Sequence, residues 1–299
     1  MKYLKKISRG IYFLAVLFII FAGLRDVTLF NSEVSPVVSE GREKVVLPII
    51  MYHSFLKDPR SQGKYVLPPS LFEEDLKYLK ENGYETVTVA DLVAYYEDGK
   101  PLPEKPVMLT FDDGYYNNYV YAYPLLKKYN AKAVLSIIGI CSEKFSESND
   151  ENANYSHVTW DEIKEMSDSG LVEIQNHSYN LHTLDKGRKG ARKKQGENEL
   201  EYQNMLEDDL SKLQELLYEH CGIIPTAFAY PFGAVSDASI PVVKKMGFKA
   251  SFTCLQRINI LESEEDLMLM NRFLRTGDGS EKFFSSLGLE KYYGKAAAE

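Results

Sequence analysis

From Val45 onward the chain alternates short apolar runs with longer amphipathic ones. VVLPIIMYH (45–53) reads as a strand, and PVMLTF (106–111) and AVLSIIG (133–139) have the apolar pattern of buried strands. VEIQ (172–175), AFAYP (227–231), KASFTC (249–254) and LMLMNRF (267–273) continue the series. Helical patterns separate them. SLFEEDLKYLKENG (70–83) is predicted to be capped by Ser70, with Glu73 three residues on and Gly83 closing the helix. Residues 117–129 carry apolar and aromatic side chains on one side. TWDEIKEMSDSG (159–170) has a capping threonine, an acidic first turn and a closing glycine. Residues 197–222 contain a long helix, and a further one lies near 237–246. Strand-then-helix repetition predicts an α/β fold with a largely parallel sheet. No obvious linker interrupts 45–275, so one domain is expected there. Parallel sheets place their sites at the C-terminal ends of strands.

The N-terminus follows a different pattern. Lys2, Lys5, Lys6 and Arg9 precede an uncharged stretch from Gly10 to Leu24, closed by Arg25 and Asp26. A positive flank before an apolar run is the plan of a secretory signal or a signal anchor. The run is shorter than the roughly 20 residues of a comfortable span, yet no small-x-small cleavage site stands near Ala22 and Gly23. Both readings stay open. Each leaves the positive flank inside and exports the rest. Residues 1–24 are therefore set apart as signal peptide or membrane anchor, and 25–44 as a polar linker. The domain is expected over 45–276, with 277–299 as a C-terminal tail.

Composition adds limits. The 299 residues carry a formal net charge of −8, and the first 24 hold four basic and no acidic side chains, so the remainder carries −12. That balance argues against a nucleic-acid footprint. Cys141, Cys221 and Cys254 are too few for a disulfide-built scaffold.

The chemistry gathers at strand ends. PVMLTF runs straight into Asp112, Asp113 and Gly114. Two carboxylates at the end of a buried strand are costly unless paired or bound to a metal. VEIQ runs into a segment holding His177 and His182. Five residues apart on a helix is about 500°, which leaves the rings about 140° apart, so the pair is expected to converge from a loop. Two histidines and one carboxylate make a three-ligand site with open positions, as catalytic zinc and iron sites have.

Thr110-Phe111-Asp112-Asp113-Gly114, the His177 to His182 segment and Tyr230-Pro231-Phe232-Gly233 together resemble the polysaccharide deacetylases of carbohydrate esterase family 4, the NodB-homology domain. The resemblance runs from about Leu47 to Arg275. Ile50-Met51-Tyr52-His53 and the histidine spacing look most like its exported poly-N-acetylglucosamine deacetylase branch. It implies a single distorted (β/α) barrel, with seven parallel strands. It also implies a divalent metal held by Asp113, His177 and His182, zinc first, with cobalt, nickel or iron as other fits. Asp112 would be the general base and the backbone N–H of Phe232 an oxyanion donor. The reaction implied is hydrolysis of the acetamide of N-acetylhexosamine units in an extracellular or cell-wall polysaccharide, releasing acetate. The partners implied are that polysaccharide and, if the first segment is uncleaved, a membrane.

Two departures mark this chain. Many relatives place a histidine acid in a C-terminal motif, but no histidine follows His220 here. His53, at the end of the first strand, is expected to replace it. His157 could only edge the groove, and His220 is expected to be structural. The arginine common in the third motif is also absent, with Ala229 two residues before Pro231. Arg272 or Arg275 could supply that charge. Tyr115, Pro231 and Arg272 are the expected sugar contacts, and Tyr116 a further candidate for the groove. Lys186, Arg188, Lys189, Arg192, Lys193 and Lys194 form a basic stretch, read either as a solvated loop or as a contact for an anionic surface. The competing readings are an O-acetyl esterase on a wall glycan and a catalytically silent glycan-binding domain. A two-histidine oxygenase lacks its usual His-x-Asp order here.

Overall fold

In the computed structural model, residues 43–293 are described. The expected signal or anchor (1–24) and nearly all of the linker (25–44) lie outside them. Among the described residues no helix is long and apolar enough to cross a membrane.

The first apolar run is two strands, not one. Pro48 has no N–H to give a ladder, and it divides β1 (Val45–Leu47) from β2 (Ile49–Tyr52). Two short strands follow, β3 (Ser54–Phe55) and β4 (Val66–Leu67), paired in parallel. Helix α1 (Pro69–Glu81) begins one residue before the expected Ser70 cap. Pro69 takes the first helical position, where its missing N–H costs nothing, and Ser70 lies inside the helix. Next come β5 (Glu85–Thr86), α2 (Val89–Asp98) and β6 (Pro106–Phe111). A π-helical turn (Asn118–Ala122) leads into α3 (Tyr123–Tyr129), then β7 (Ala133–Ile137) and α4 (Gly139–Ser148). Helix α5 (Trp160–Asp168) carries the capping box of Thr159 and Glu162 that its sequence announces. The rest are β8 (Val172–Asn176), α6 (Glu199–Cys221), β9 (Ala227–Ala229), α7 (Ser239–Lys245), β10 (Ala250–Phe252), β11 (Asn259–Leu261) and β12 (Phe273–Leu274). Two last helices, α8 (Ser280–Ser286) and α9 (Glu290–Tyr293), end the described chain.

Seven strands form one parallel path in the order β10-β9-β8-β7-β6-β2-β12, with β5 added beside the start of β6. The sheet curls into the expected distorted barrel. LMLMNRF spans the gap between its ends and is only partly strand. Met270 bridges Phe252 of β10, while Phe273 and Leu274 pair with Ile50 and Met51 of β2. Leu269, just before Met270, has a φ of 64°.

Strand alternation sorts the side chains into two layers. On β6, Val107, Leu109 and Phe111 join the outer core with Leu71, Phe72 and Leu76 of α1. Met108 joins the inner core with Ile49, Val134, Ala227, Ala229 and Ala250. Thr110 and Asp112 continue the inner row, so the first aspartate of the motif stands over the barrel interior.

The expected C-terminal tail is a correction. Phe284 of α8 stacks on Tyr78 of α1 at 4.9 Å, and Tyr293 Oη donates to the Val46 carbonyl at 2.8 Å. Both aromatics bury apolar area that an exposed tail would leave in water, so the fold runs past residue 276. Cys141, Cys221 and Cys254 are all free thiols.

Candidate metal centre

Asp112, Asp113 and Gly114 leave the end of β6. Asp113 and Gly114 both have a φ of 73°. Asp tolerates this left-handed conformation better than most residues, and at Gly114 a Cβ would lie 3.0 Å from Ile137 Cγ2. The turn sends Asp113 away from Asp112, as adjacent carboxylates with separate roles require.

His177 follows β8 directly, and His182 reaches back from the loop beyond it. The Nε2 atoms of both histidines lie 3.4 Å from Asp113 Oδ1. One ligand atom from each of the three residues lies within 4.8 Å of the others. His177 Nδ1 sits 2.7 Å from the Ala229 carbonyl, which can only accept. Nδ1 therefore carries the proton and Nε2 keeps its lone pair, the arrangement that orients a metal-binding imidazole. Asp113 Oδ1 is buried without a hydrogen-bond partner. An orphaned carboxylate oxygen facing two imidazole nitrogens fits a divalent cation.

Asp112 is equally buried, with a different neighbour. Arg272 Nη1 and Nη2 donate to its two oxygens at 2.7 and 2.8 Å, and Nη1 also reaches Thr110 Oγ1 at 3.3 Å. Burial alone would raise the Asp112 carboxyl, but Arg272 outweighs it and holds the group well below the usual carboxylate range. Arg272 is expected from sequence at the sugar groove. It is fully buried instead, its Nε donating to the Thr253 carbonyl at 2.9 Å, so it cannot touch a sugar. The other candidate, Arg275, grips Asp75 of α1.

His53 follows β2 directly, with its Nδ1 buried and unpartnered. Burial lowers its pKa, and Asp112 and Asp113 restore part of the loss. The exposed Tyr65 ring lies 4.8 Å from it. Asn118 Nδ2 donates to the His53 carbonyl at 2.7 Å, and Asn117 Oδ1 accepts the Phe55 N–H at 2.9 Å. These two asparagines, just past the aspartates, escape sequence reading. Their only signal there is an Asn pair immediately after Tyr115 and Tyr116.

Tyr230-Pro231-Phe232-Gly233 turns tightly after β9. Phe232 has a φ of 59°, and its partly exposed ring lies 4.2 Å from His182. Pro231 is buried beneath Gly190, whose added Cβ would meet the Pro231 carbonyl at 2.5 Å. It shapes the turn rather than the open surface, contrary to its expected sugar contact. Tyr115 is partly exposed beside the cluster and packs on His157 at 4.8 Å, and the His157 ring also stacks on Phe145. Tyr116 donates to Glu151 at 3.2 Å. His220 stacks on Trp160, a packing role. The basic stretch is largely committed within the fold. Arg188 pairs with Glu197, Lys193 with Glu199, and Arg192 Nε donates to the Val235 carbonyl.

Comparison with known proteins matches this geometry. The family model described as polysaccharide deacetylase matches residues 99–251. A poly-beta-1,6-N-acetyl-D-glucosamine N-deacetylase of Escherichia coli (strain K12) is 29% identical over 222 residues, covering 68% of this chain and 33% of that protein. A protein of the same name from Staphylococcus aureus (strain MSSA476) is 31% identical over 199 residues, 67% of this chain and 64% of its own length. The chain thus spans a third of the first relative and under two thirds of the second. The solved structure of a de-N-acetylase from Aggregatibacter actinomycetemcomitans superposes with a TM-score of 0.68 at 28% identity, over 80% of this chain and all of that one. The matched span holds the paired aspartates, both histidines and the Tyr-Pro-Phe-Gly turn, and on that evidence the chain belongs to the polysaccharide deacetylase family.

Proposed function

We propose that this chain hydrolyses the acetamide of N-acetylglucosamine units in a polysaccharide, with a zinc ion held by Asp113, His177 and His182. The observation that carries the reading is the convergence of those three side chains beside Asp112, a second carboxylate held by its own buried arginine. The names of the bacterial relatives support the substrate class. Cobalt, nickel and iron suit the same donors. The cationic flank and apolar run of residues 2–24 support action outside the cytoplasmic membrane, at its outer face or in the wall.

When bound, the divalent ion supplies an acidified water and a polarised acetamide carbonyl. Asp112 accepts the proton of the attacking water. Arg272 occupies both its oxygens from one side, which fixes its orientation and keeps it ionised. A carboxylate held this far down is a weak base, so it depends on that acidification. The backbone N–H of Phe232 is the donor for the carbonyl oxygen as it gains charge. His53 gives a proton to the departing amine, and its burial makes the imidazolium a stronger acid. Tyr65, Tyr115 and Phe232 present exposed or partly exposed rings beside the site for a sugar face. The products are acetate and a free amine.

The test is acetate release by the full chain from β-1,6-linked N-acetylglucosamine oligomers and from an O-acetylated glycan. Release from the amide substrate, abolished by a chelator and restored by Zn²⁺, is expected. Release from the ester alone would make the chain an O-acetyl esterase.

A further inference from the structure

The two histidines bound a six-residue loop whose middle is tied to a helix. Asp209, partway along α6, accepts the Tyr179 N–H at 2.8 Å on one oxygen and the Asn180 N–H at 2.9 Å on the other. Both amides lie between His177 and His182 in sequence. The flanks of the loop are held separately. Ser178 stands at a φ of 81°, its N–H donating to Asn176 Oδ1 at 2.7 Å and its Oγ accepting from the Leu181 N–H at 3.0 Å. Tyr179 is also held from α4, its carbonyl accepting the Ile140 N–H at 3.0 Å and its Oη donating to Glu143 at 2.6 Å, while Asp209 is the side chain that takes the two central backbone amides. Burial pushes its carboxyl up to about 6, against the pull of the two amide donations. A loop of this length has many conformations in which the two imidazoles do not meet, and fixing its centre removes most of them.

We infer that Asp209 is a positioning residue for the metal centre, setting the reach between His177 and His182 through the two amides it binds. The inference rests on the metal reading above. Groups that hydrogen-bond metal ligands directly change metal affinity by about 10- to 100-fold when removed, and Asp209 acts on the same ligands through the backbone between them.

The experiment measures the Zn²⁺ dissociation constant of the full chain by chelator competition. Wild type, Asp209→Ala and Asp209→Asn are compared, with circular dichroism and thermal unfolding of each metal-free protein. Asp209→Ala loses both acceptors and is expected to weaken Zn²⁺ binding by about 10- to 100-fold. Asp209→Asn keeps one oxygen, so its loss is expected to be smaller, and it decides the matter if the alanine variant does not fold. Folded variants that bind Zn²⁺ as wild type does overturn the inference, including when only their metal-free melting temperature falls. A wild-type chain that binds no Zn²⁺ overturns the metal reading, and this inference with it.

Discussion

Arg272 and Arg275 flank the same two-residue strand, and each grips a buried aspartate with two nitrogens. Their surroundings differ. Asp75 is saturated: Arg275 donates to it at 2.8 and 2.9 Å, Tyr52 Oη at 2.9 Å and Ser280 Oγ at 2.7 Å. The Arg275 pair joins α1, β2 and α8. Asp112 is gripped by Arg272 from one side, while His53 and His177 act on it electrostatically. Strand parity explains the division. Residues three apart on extended chain fall on opposite faces, so Arg272 enters the barrel with Leu274, and Arg275 turns outward with Phe273. In the proposed mechanism one ion pair serves the reaction and the other the fold.

The comparison can be broken in several ways, starting with the largest effect. Arg272→Met strips the charge from beside Asp112. A fall in kcat of about 10²- to 10⁴-fold is expected, with unfolding free energy down by about 3–5 kcal/mol; acetate-release kinetics and urea titration check the two. Arg275→Met leaves Asp75 buried and unpaired, so a stability loss of about the same 3–5 kcal/mol is expected. The kcat per folded molecule should stay near wild type, and a large fall would erase the distinction between the pairs. Tyr52→Phe removes one donor from Asp75 and is expected to cost about 1–3 kcal/mol in the same titration. The smallest effect is in the acid range. The Asp112 carboxyl is depressed in the folded protein, so its stabilisation is present above the unfolded carboxyl pKa of about 3.9 and is lost as pH falls through the folded value. The wild-type minus Asp112→Asn difference in unfolding free energy should therefore shrink as pH is lowered below about 4.

Much of this was legible in the sequence, because buried parallel strands are apolar runs and their chemistry stands just past the runs. Asp112, Asp113, His177 and His182 each follow a strand that composition alone delimits. The arginine was half legible. Both candidates were visible, and the parity of the strand between them would have chosen Arg272 had its two-residue length been known. Pro48 marks the strand break in the sequence itself, and Pro69 the helix start, which the Ser70 and Glu73 capping pattern masks. Asn117, Asn118 and Asp209 were not legible. They bind backbone far away in sequence, up to 65 residues for Asn118 and 30 for Asp209, and no local spacing carries that information.

Asp112→Asn tests the central claim most directly, since it keeps the shape of the side chain and removes the proposed base. Metal content and acetate release from β-1,6-linked N-acetylglucosamine oligomers are measured on the same Zn²⁺-loaded full chain. The account predicts metal bound as in wild type and acetate release down by about 10²- to 10⁴-fold. Acetate release at the wild-type rate would contradict it.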